Sequence, residues 1–185
     1  VIYDTVDINP VPSPAITGKD TICGLVDTYS YNVTKKSGHD YKWTVNGGMV
    51  TSGDSTHSID VKWQKTGNRS IQLKNTNTGG CDTIVNKSVY VEKRPDPEIS
   101  GKDTVCEYTN GYNYSVKQQS GYSYNWEING GKITGGGGTH EVTVKWRGSG
   151  TGSLKVTKST KIGCKKTVTK QIQIEPKPLP AIKSN

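Results

Sequence analysis

Two histidines, His57 and His140, stand 83 residues apart in matching surroundings, and their type is the one most suggestive of chemistry. Imidazole can act as a general base or a metal ligand near neutral pH. Acyl-transfer catalysis needs more, namely a nucleophile beside the histidine and a group that orients the ring. No Ser/Asp or Cys partner pattern recurs with either histidine, and His39 has Tyr122 as its counterpart. A half-buried ring bonded to a nearby carbonyl accounts for the pair. Among the acids only Asp20/Asp103 and Glu92/Glu175 correspond, which argues against a paired-carboxylate hydrolase. Calcium takes six to eight oxygens, and Glu92, Asp96, Glu98 and Asp103 are the set that could supply several. The competing reading has Asp20 and Asp103 capping a turn in Gly-Lys-Asp-Thr. Gly135 to Gly138 lack the Lys-Ser/Thr of a phosphate loop and read as a flexible turn. The sequence thus predicts no catalytic, cofactor-binding or metal site. It does not read as an enzyme.

Cysteine gives a firmer signal. Cys23 and Cys81 lie 58 residues apart, as do Cys106 and Cys164. No Cys-x-x-Cys or Cys/His cluster suggests metal, and buried thiols are the other alternative. Four cysteines allow three pairings, of which the regular spacing favours Cys23–Cys81 and Cys106–Cys164. Closing a loop of that length stabilises by roughly 4 kcal/mol on the chain-entropy model. Lasting disulfides imply an extracellular or cell-surface location.

These residues are held in a tandem duplication. A shift of 83 aligns Gly18-Lys-Asp-Thr21 with Gly101-Lys-Asp-Thr104, Trp63 with Trp146 and Cys81 with Cys164. Without a gap, about 32 of 83 positions are identical. At its centre stands Tyr41-Lys-Trp43-Thr-Val45-Asn-Gly47-Gly48, repeated as Tyr124-Asn-Trp126-Glu-Ile128-Asn-Gly130-Gly131. Side chains alternate across a strand, so Tyr, Trp and Val/Ile share one face and Asn-Gly-Gly reads as a tight turn. Further alternations run through Tyr29/Tyr31/Val33, His57/Ile59/Val61/Trp63, Ile71/Leu73 and Val89/Val91, with counterparts in the second copy. No segment shows apolar residues at helical spacing. Short strands every 8–12 residues predict an all-β chain of two sandwiches, each of about seven antiparallel strands. The core is expected from Tyr41, Trp43, Trp63, Tyr124, Trp126 and Trp146.

Val1–Ile8 lies in register with Ile84–Val91, and Pro178–Ile182 with Pro95–Ile99. The expected domains are therefore residues 1–9, the last strand of a preceding repeat; 10–94, the first module; 95–177, the second; and 178–185, the start of another. Alternating prolines at Pro10, Pro12 and Pro14, at Pro95 and Pro97, and at Pro176, Pro178 and Pro180 suggest semi-rigid spacers and an extended rod.

The order of cysteine, Tyr-x-Trp-x-Val/Ile-x-Gly-Gly, Val-x-Trp, Gly-Cys and a closing strand into a proline linker resembles the PKD-like modules of Bacteroidota surface proteins. The resemblance implies Ig-like β-sandwiches arrayed in secreted, gliding-associated adhesins exported by the type IX route. It departs from the better-known Trp-Asp-Phe-Gly-Asp-Gly pattern, which here reads Trp43-Thr-Val-Asn-Gly-Gly48 and Trp126-Glu-Ile-Asn-Gly-Gly131. No role of the missing acidic residues is carried over.

Net charge is +8, the apolar fraction 30%, and there is no Phe. Lys42, Lys62, Lys74, Lys145 and Lys155 alternate with core positions and so belong on outer faces, guarding sheet edges. Only Arg69, Arg94 and Arg147 are arginines, whereas nucleic-acid readers favour clustered arginine. Nucleic acid is thus excluded as a partner. Anionic surface polysaccharide, adjacent repeats and neighbouring chains remain. No apolar run approaches the length that spans a bilayer. Asp-Thr-aliphatic triplets at Thr5, Thr21, Thr83 and Thr104 match an O-glycosylation motif, with β-propensity and chance as rivals. The expected role is a structural spacer or stalk segment of a repetitive surface protein. The alternative is a carbohydrate- or ligand-binding adhesin module, with Tyr108, Tyr112 and Tyr122 as a sugar-stacking patch.

Overall fold

The computed structural model describes residues 10–178, and every regular element in that span is a β-strand. The expectations for residues 1–9 and for residues beyond 178 lie outside the described residues. The chain divides into two compact units that meet between Lys93 and Arg94.

In the first unit β1 (Thr21–Cys23), β3 (Asp40–Asn46), β6 (Gly67–Thr76) and β7 (Asp82–Glu92) form a sheet ordered β1-β7-β6-β3. A second sheet, β2-β5-β4, comprises β2 (Thr28–Asn32), β4 (Gly48–Ser52) and β5 (Ser58–Trp63). The second unit repeats this arrangement. Its strands are β8 (Thr104–Cys106), β9 (Tyr112–Ser115), β10 (Tyr122–Asn129), β11 (Gly131–Gly135), β12 (Glu141–Trp146), β13 (Gly150–Thr160) and β14 (Lys165–Glu175). Their sheets are ordered β10-β13-β14-β8 and β11-β12-β9. Seven strands per unit, all but the first pairing antiparallel, match the period-two pattern. The exceptions are β1 and β8, which run parallel to the ends of β7 and β14.

Asn-Gly-Gly does not form the hairpin that its composition suggests. β3 pairs with β6, whereas β4, one residue further on, pairs with β5 in the other sheet. Gly47 and Gly130 (φ 85° in both) turn the chain through a corner between sheets. The glycine after each corner lies against the core: a Cβ on Gly48 would stand 3.0 Å from Val61 and 3.1 Å from Trp63. The motif is therefore read correctly as a break and wrongly as a hairpin.

Each core joins the inner faces of the two sheets. In the first unit Tyr31, Trp43, Trp63, Ile71, Leu73 and Val89 are buried, with Tyr41 at 8% exposure. In the second Tyr114, Trp126, Trp146, Leu154, Val156 and Ile172 are buried, while Tyr124 is only partly covered. Trp43 and Trp126 donate their indole N–H to the carbonyls of Thr56 and Thr139, both at 2.8 Å. That bond ties an edge strand of one sheet to the loop that joins two strands of the other, β4 and β5 in the first unit and β11 and β12 in the second.

Strand length corrects the expected disulfides. Cys23 lies opposite Glu92, the last residue of β7, while Cys81 directly precedes its first. Eleven residues of strand separate them by roughly 30 Å. A disulfide requires Cα atoms within about 7 Å, so Cys23–Cys81 cannot form. Cys23 is disulfide-bonded, but not to Cys81. In the second unit Cys106 lies opposite Glu175 and Cys164 directly precedes Lys165, at opposite ends of β14. Here Cys164 is disulfide-bonded and buried, whereas Cys106 is a half-buried thiol. Each unit carries one sulfur where its chain enters and one where it leaves.

Candidate functional site at the entering end

The chemically richest cluster lies where each chain enters its unit, at the start of the first long strand. In the first unit Tyr41 on β3 stands opposite Asn75 on β6. The neighbouring loop is pinned there by Asn77, whose Nδ2 donates to the Pro10 carbonyl at 2.9 Å. Asn75 is almost fully buried. Its Oδ1 lies 2.8 Å from His39 Nδ1, and its Nδ2 donates to the Asp40 carbonyl at 3.3 Å. Tyr41 Oη accepts from the Lys36 backbone N–H at 2.9 Å. The Tyr41 ring stacks with His39 and meets His57 edge-on, both with centroids 6.5 Å apart. Beside them opens a cavity of about 320 Å³, roofed by the Pro12–Ala15 segment and lined by Thr34, Lys36, His39, Tyr41 and Asn75.

In the second unit the same positions are occupied differently. Lys158 replaces Asn75, opposite Tyr124, and is 1% exposed. Its Nζ donates to the Lys117 carbonyl at 3.2 Å and to Gln119 Oε1. It also sits over the rings of Tyr122 and Tyr124, at 4.7 and 5.6 Å from their centroids. Cation–π contact and two acceptors compensate part of the cost of burying an ammonium. Burial, with a smaller contribution from Lys117, still lowers its pKa below the ordinary lysine value.

The other residues singled out in the sequence are dispersed. His57 and His140 both pack edge-on against a tyrosine, Tyr41 and Tyr124 respectively, and His140 Nε2 lies 3.6 Å from Glu141. Asp20 and Asp103 pair with Lys87 and Lys170, across to the final strand of their own unit. That cross-strand pairing, rather than a turn cap, is what the recurring acid does. Among the described residues no three His, Cys, Asp or Glu side chains come together as a metal cage. Tyr108, Tyr112 and Tyr122 do not make one patch. Tyr112 Oη accepts from the Cys106 N–H at 2.9 Å at the leaving end, and Tyr108 is nearby in sequence, while Tyr122 lies beside Thr160 at the entering end. Thr21 and Thr104 are exposed and Thr83 is half-buried, whereas Thr5 lies outside the described residues.

Asn75, Lys158 and Lys36 were not singled out by sequence reasoning. The signal was present as breaks in the repeat: Asn75 against Lys158, His39 against Tyr122 and Lys36 against Gln119. Searching for identity between copies passes over such positions.

The sequence profile of the PKD-like domain matches residues 9–91 and again residues 93–174. The chain belongs to the PKD-like domain family. No curated protein matches it. Among solved structures, these PKD-like units resemble the fibronectin(III)-like modules of Clostridium thermocellum CbhA, at 12% identity and a TM-score of 0.40, covering 92% of this chain and 100% of that one. Protocadherin gammaB7 EC3-6 gives 13% identity and a TM-score of 0.39, covering 89% of this chain; the chain spans 47% of its length. A Bacteroides ovatus glucan-utilization protein, SGBP-B, solved with a mixed-linkage heptasaccharide, gives 14% identity and a TM-score of 0.34, covering 84% of this chain and 42% of that one.

Proposed function

We propose that this tandem PKD-like chain is a non-catalytic spacer within a larger extracellular or cell-surface protein, a segment of a repetitive stalk or adhesin array of the kind known in Bacteroidota gliding and type IX export. One observation carries this reading: the duplication preserves the frame and lets the polar groups drift. Both units keep the Trp–Thr carbonyl bond, the sheet-crossing Gly-Gly, the Tyr–Trp edge contact and the Asp–Lys pair. Yet the groups at the entering end change from His39, Lys36 and Asn75 to Tyr122, Gln119 and Lys158. A chain selected for reach needs the first set repeated and tolerates variation in the second. A cysteine at each end of a unit also suits an array, in which sulfurs of successive modules could be linked.

The test replaces these residues, in the parent protein, by two unrelated sandwich modules of matching length. Retained surface display and retained function support a spacer. Loss of function with display intact overturns it.

A further inference from the structure

We propose that the first unit carries a binding pocket for a carboxylate-bearing sugar, a site distinct from and additional to the spacer role. The reasoning begins with the difference between the two copies. In the second unit a buried ammonium, that of Lys158, fills a slot made of the Lys117 carbonyl, Gln119 Oε1 and the faces of Tyr122 and Tyr124. Moving each of these residues back by 83 gives Thr34, Lys36, His39, Tyr41 and Asn75. Those five residues line the 320 Å³ cavity of the first unit. The cavity is the lysine slot with its lysine removed.

Losing the lysine is accompanied by a change in sign. Where the second unit presents Gln119 as an acceptor to its internal cation, the first presents Lys36, a cation of its own. Tyr122, a cation-holding ring, becomes His39. The adjoining groove shares Lys36, His39 and Tyr41 and adds Lys35 and His57. Among the described residues that line the cavity and the groove, none is a carboxylate. A pocket whose ionisable lining is basic or aromatic complements an anion. The ring of Tyr41, 8% exposed and flanked by His39 and His57, closes one side of the cavity, while Ser13 and Thr34 add hydroxyls to its lining, partners suited to the hydroxyls of a sugar. The cavity lies at the lower end of the size range of small-ligand sites, enough for one sugar residue. A single carboxylate opposite Lys36, on a sugar whose hydroxyls meet Ser13 and Thr34, uses both features together.

The experiment uses the whole chain and follows backbone and Tyr41 resonances by NMR during titration with glucuronate, glucose and N-acetylaspartate. Glucuronate should shift first-unit resonances around Lys36, His39 and Tyr41 and saturate in the millimolar range or tighter, whereas glucose should bind about tenfold more weakly or not at all. Lys36→Gln, at a surface lysine, should weaken glucuronate at least about tenfold without altering the fold. Asn75→Lys, which imports the plug of the second unit, should abolish binding, with a retained cooperative thermal transition as the folding control. The proposal fails if glucuronate causes no saturable shift, if glucose matches it, or if Lys36→Gln binds like the wild type. It fails as a sugar site if N-acetylaspartate binds as tightly as glucuronate. None of those failures bears on the spacer reading, which rests on the shared frame.

Discussion

The indole N–H of Trp146 donates to the hydroxyl oxygen of Tyr114 at 3.1 Å, with the two rings edge to face at 84° and 6.1 Å between centroids. Both residues are almost wholly buried, so this bond lies at the centre of the second unit. An aromatic pair with its polar atoms satisfied against each other adds direction to what would otherwise be unspecific apolar contact.

Removing the acceptor tests that bond. Tyr114→Phe keeps the ring and strands the Trp146 N–H, so the second unit should lose about 1–3 kcal/mol in urea unfolding. An unchanged midpoint would show that the bond contributes nothing.

Alkaline pH tests the same centre in the first unit. Burial pushes the Tyr31 phenol up to about 12 from its ordinary value of 10.0, and burial raises Tyr114 likewise. The unfolded chain releases the Tyr31 proton near pH 10, while the folded chain holds it. The stability this provides is full below pH 10 and is lost as pH rises from 10 towards 12, at about 1.4 kcal/mol per pH unit. Urea midpoints measured across that window should fall, and Tyr31→Phe should flatten the slope for the first unit.

A glycine sits against each of these tyrosines. Gly101 has φ 139°, and a Cβ there would stand 2.3 Å from Tyr114 Cδ1 and 3.0 Å from the Asn113 carbonyl. Gly101→Ala should therefore cost the second unit at least about 2 kcal/mol, through backbone strain and overpacking together. Gly18, set against Tyr31 in the same manner, should respond alike in the first unit. A melting curve within error of the wild type for either variant contradicts the described approach.

Cysteine placement makes a yes-or-no prediction. A peptide map made without reduction should contain neither a Cys23–Cys81 nor a Cys106–Cys164 linkage. Cys106 should take up a thiol-specific alkylating reagent in the isolated chain. Recovery of either intramodule cystine would contradict the strand registers of β7 and β14.

The fold was largely legible because alternation carries it. Tyr41/Trp43, Ile59/Val61/Trp63 and Ile71/Leu73 mark strands with one buried face, and the structure places them on β3, β5 and β6. Three-residue strands such as β1 are too short to alternate, and β4 alternates only in its burial, with Gly48, Val50 and Met49 of mixed character. The sheet-crossing corner was missed because Asn-Gly-Gly satisfies a hairpin and a corner equally well, and only partner strands distinguish them. Disulfide partners went astray for a related reason. Spacing of 58 residues says nothing of direction, while the parallel placement of β1 at the far end of β7 decides it. The candidate pocket was hidden for the opposite reason, since it is built from residues the duplication does not share.

That parallel placement also governs how a unit bears load. The strand near the start of the unit and the strand near its finish lie side by side, joined by backbone bonds such as Tyr90 N–H to Asp20 O and Gly24 N–H to Glu92 O, both 2.8 Å, with equivalents in the second unit. Tension drawn along the chain pulls β1 and β7 past each other lengthwise, so these bonds resist in shear and must give way together rather than peel one at a time. A unit stretched by its two ends would meet its first resistance where the three residues of β1 lie along the end of β7.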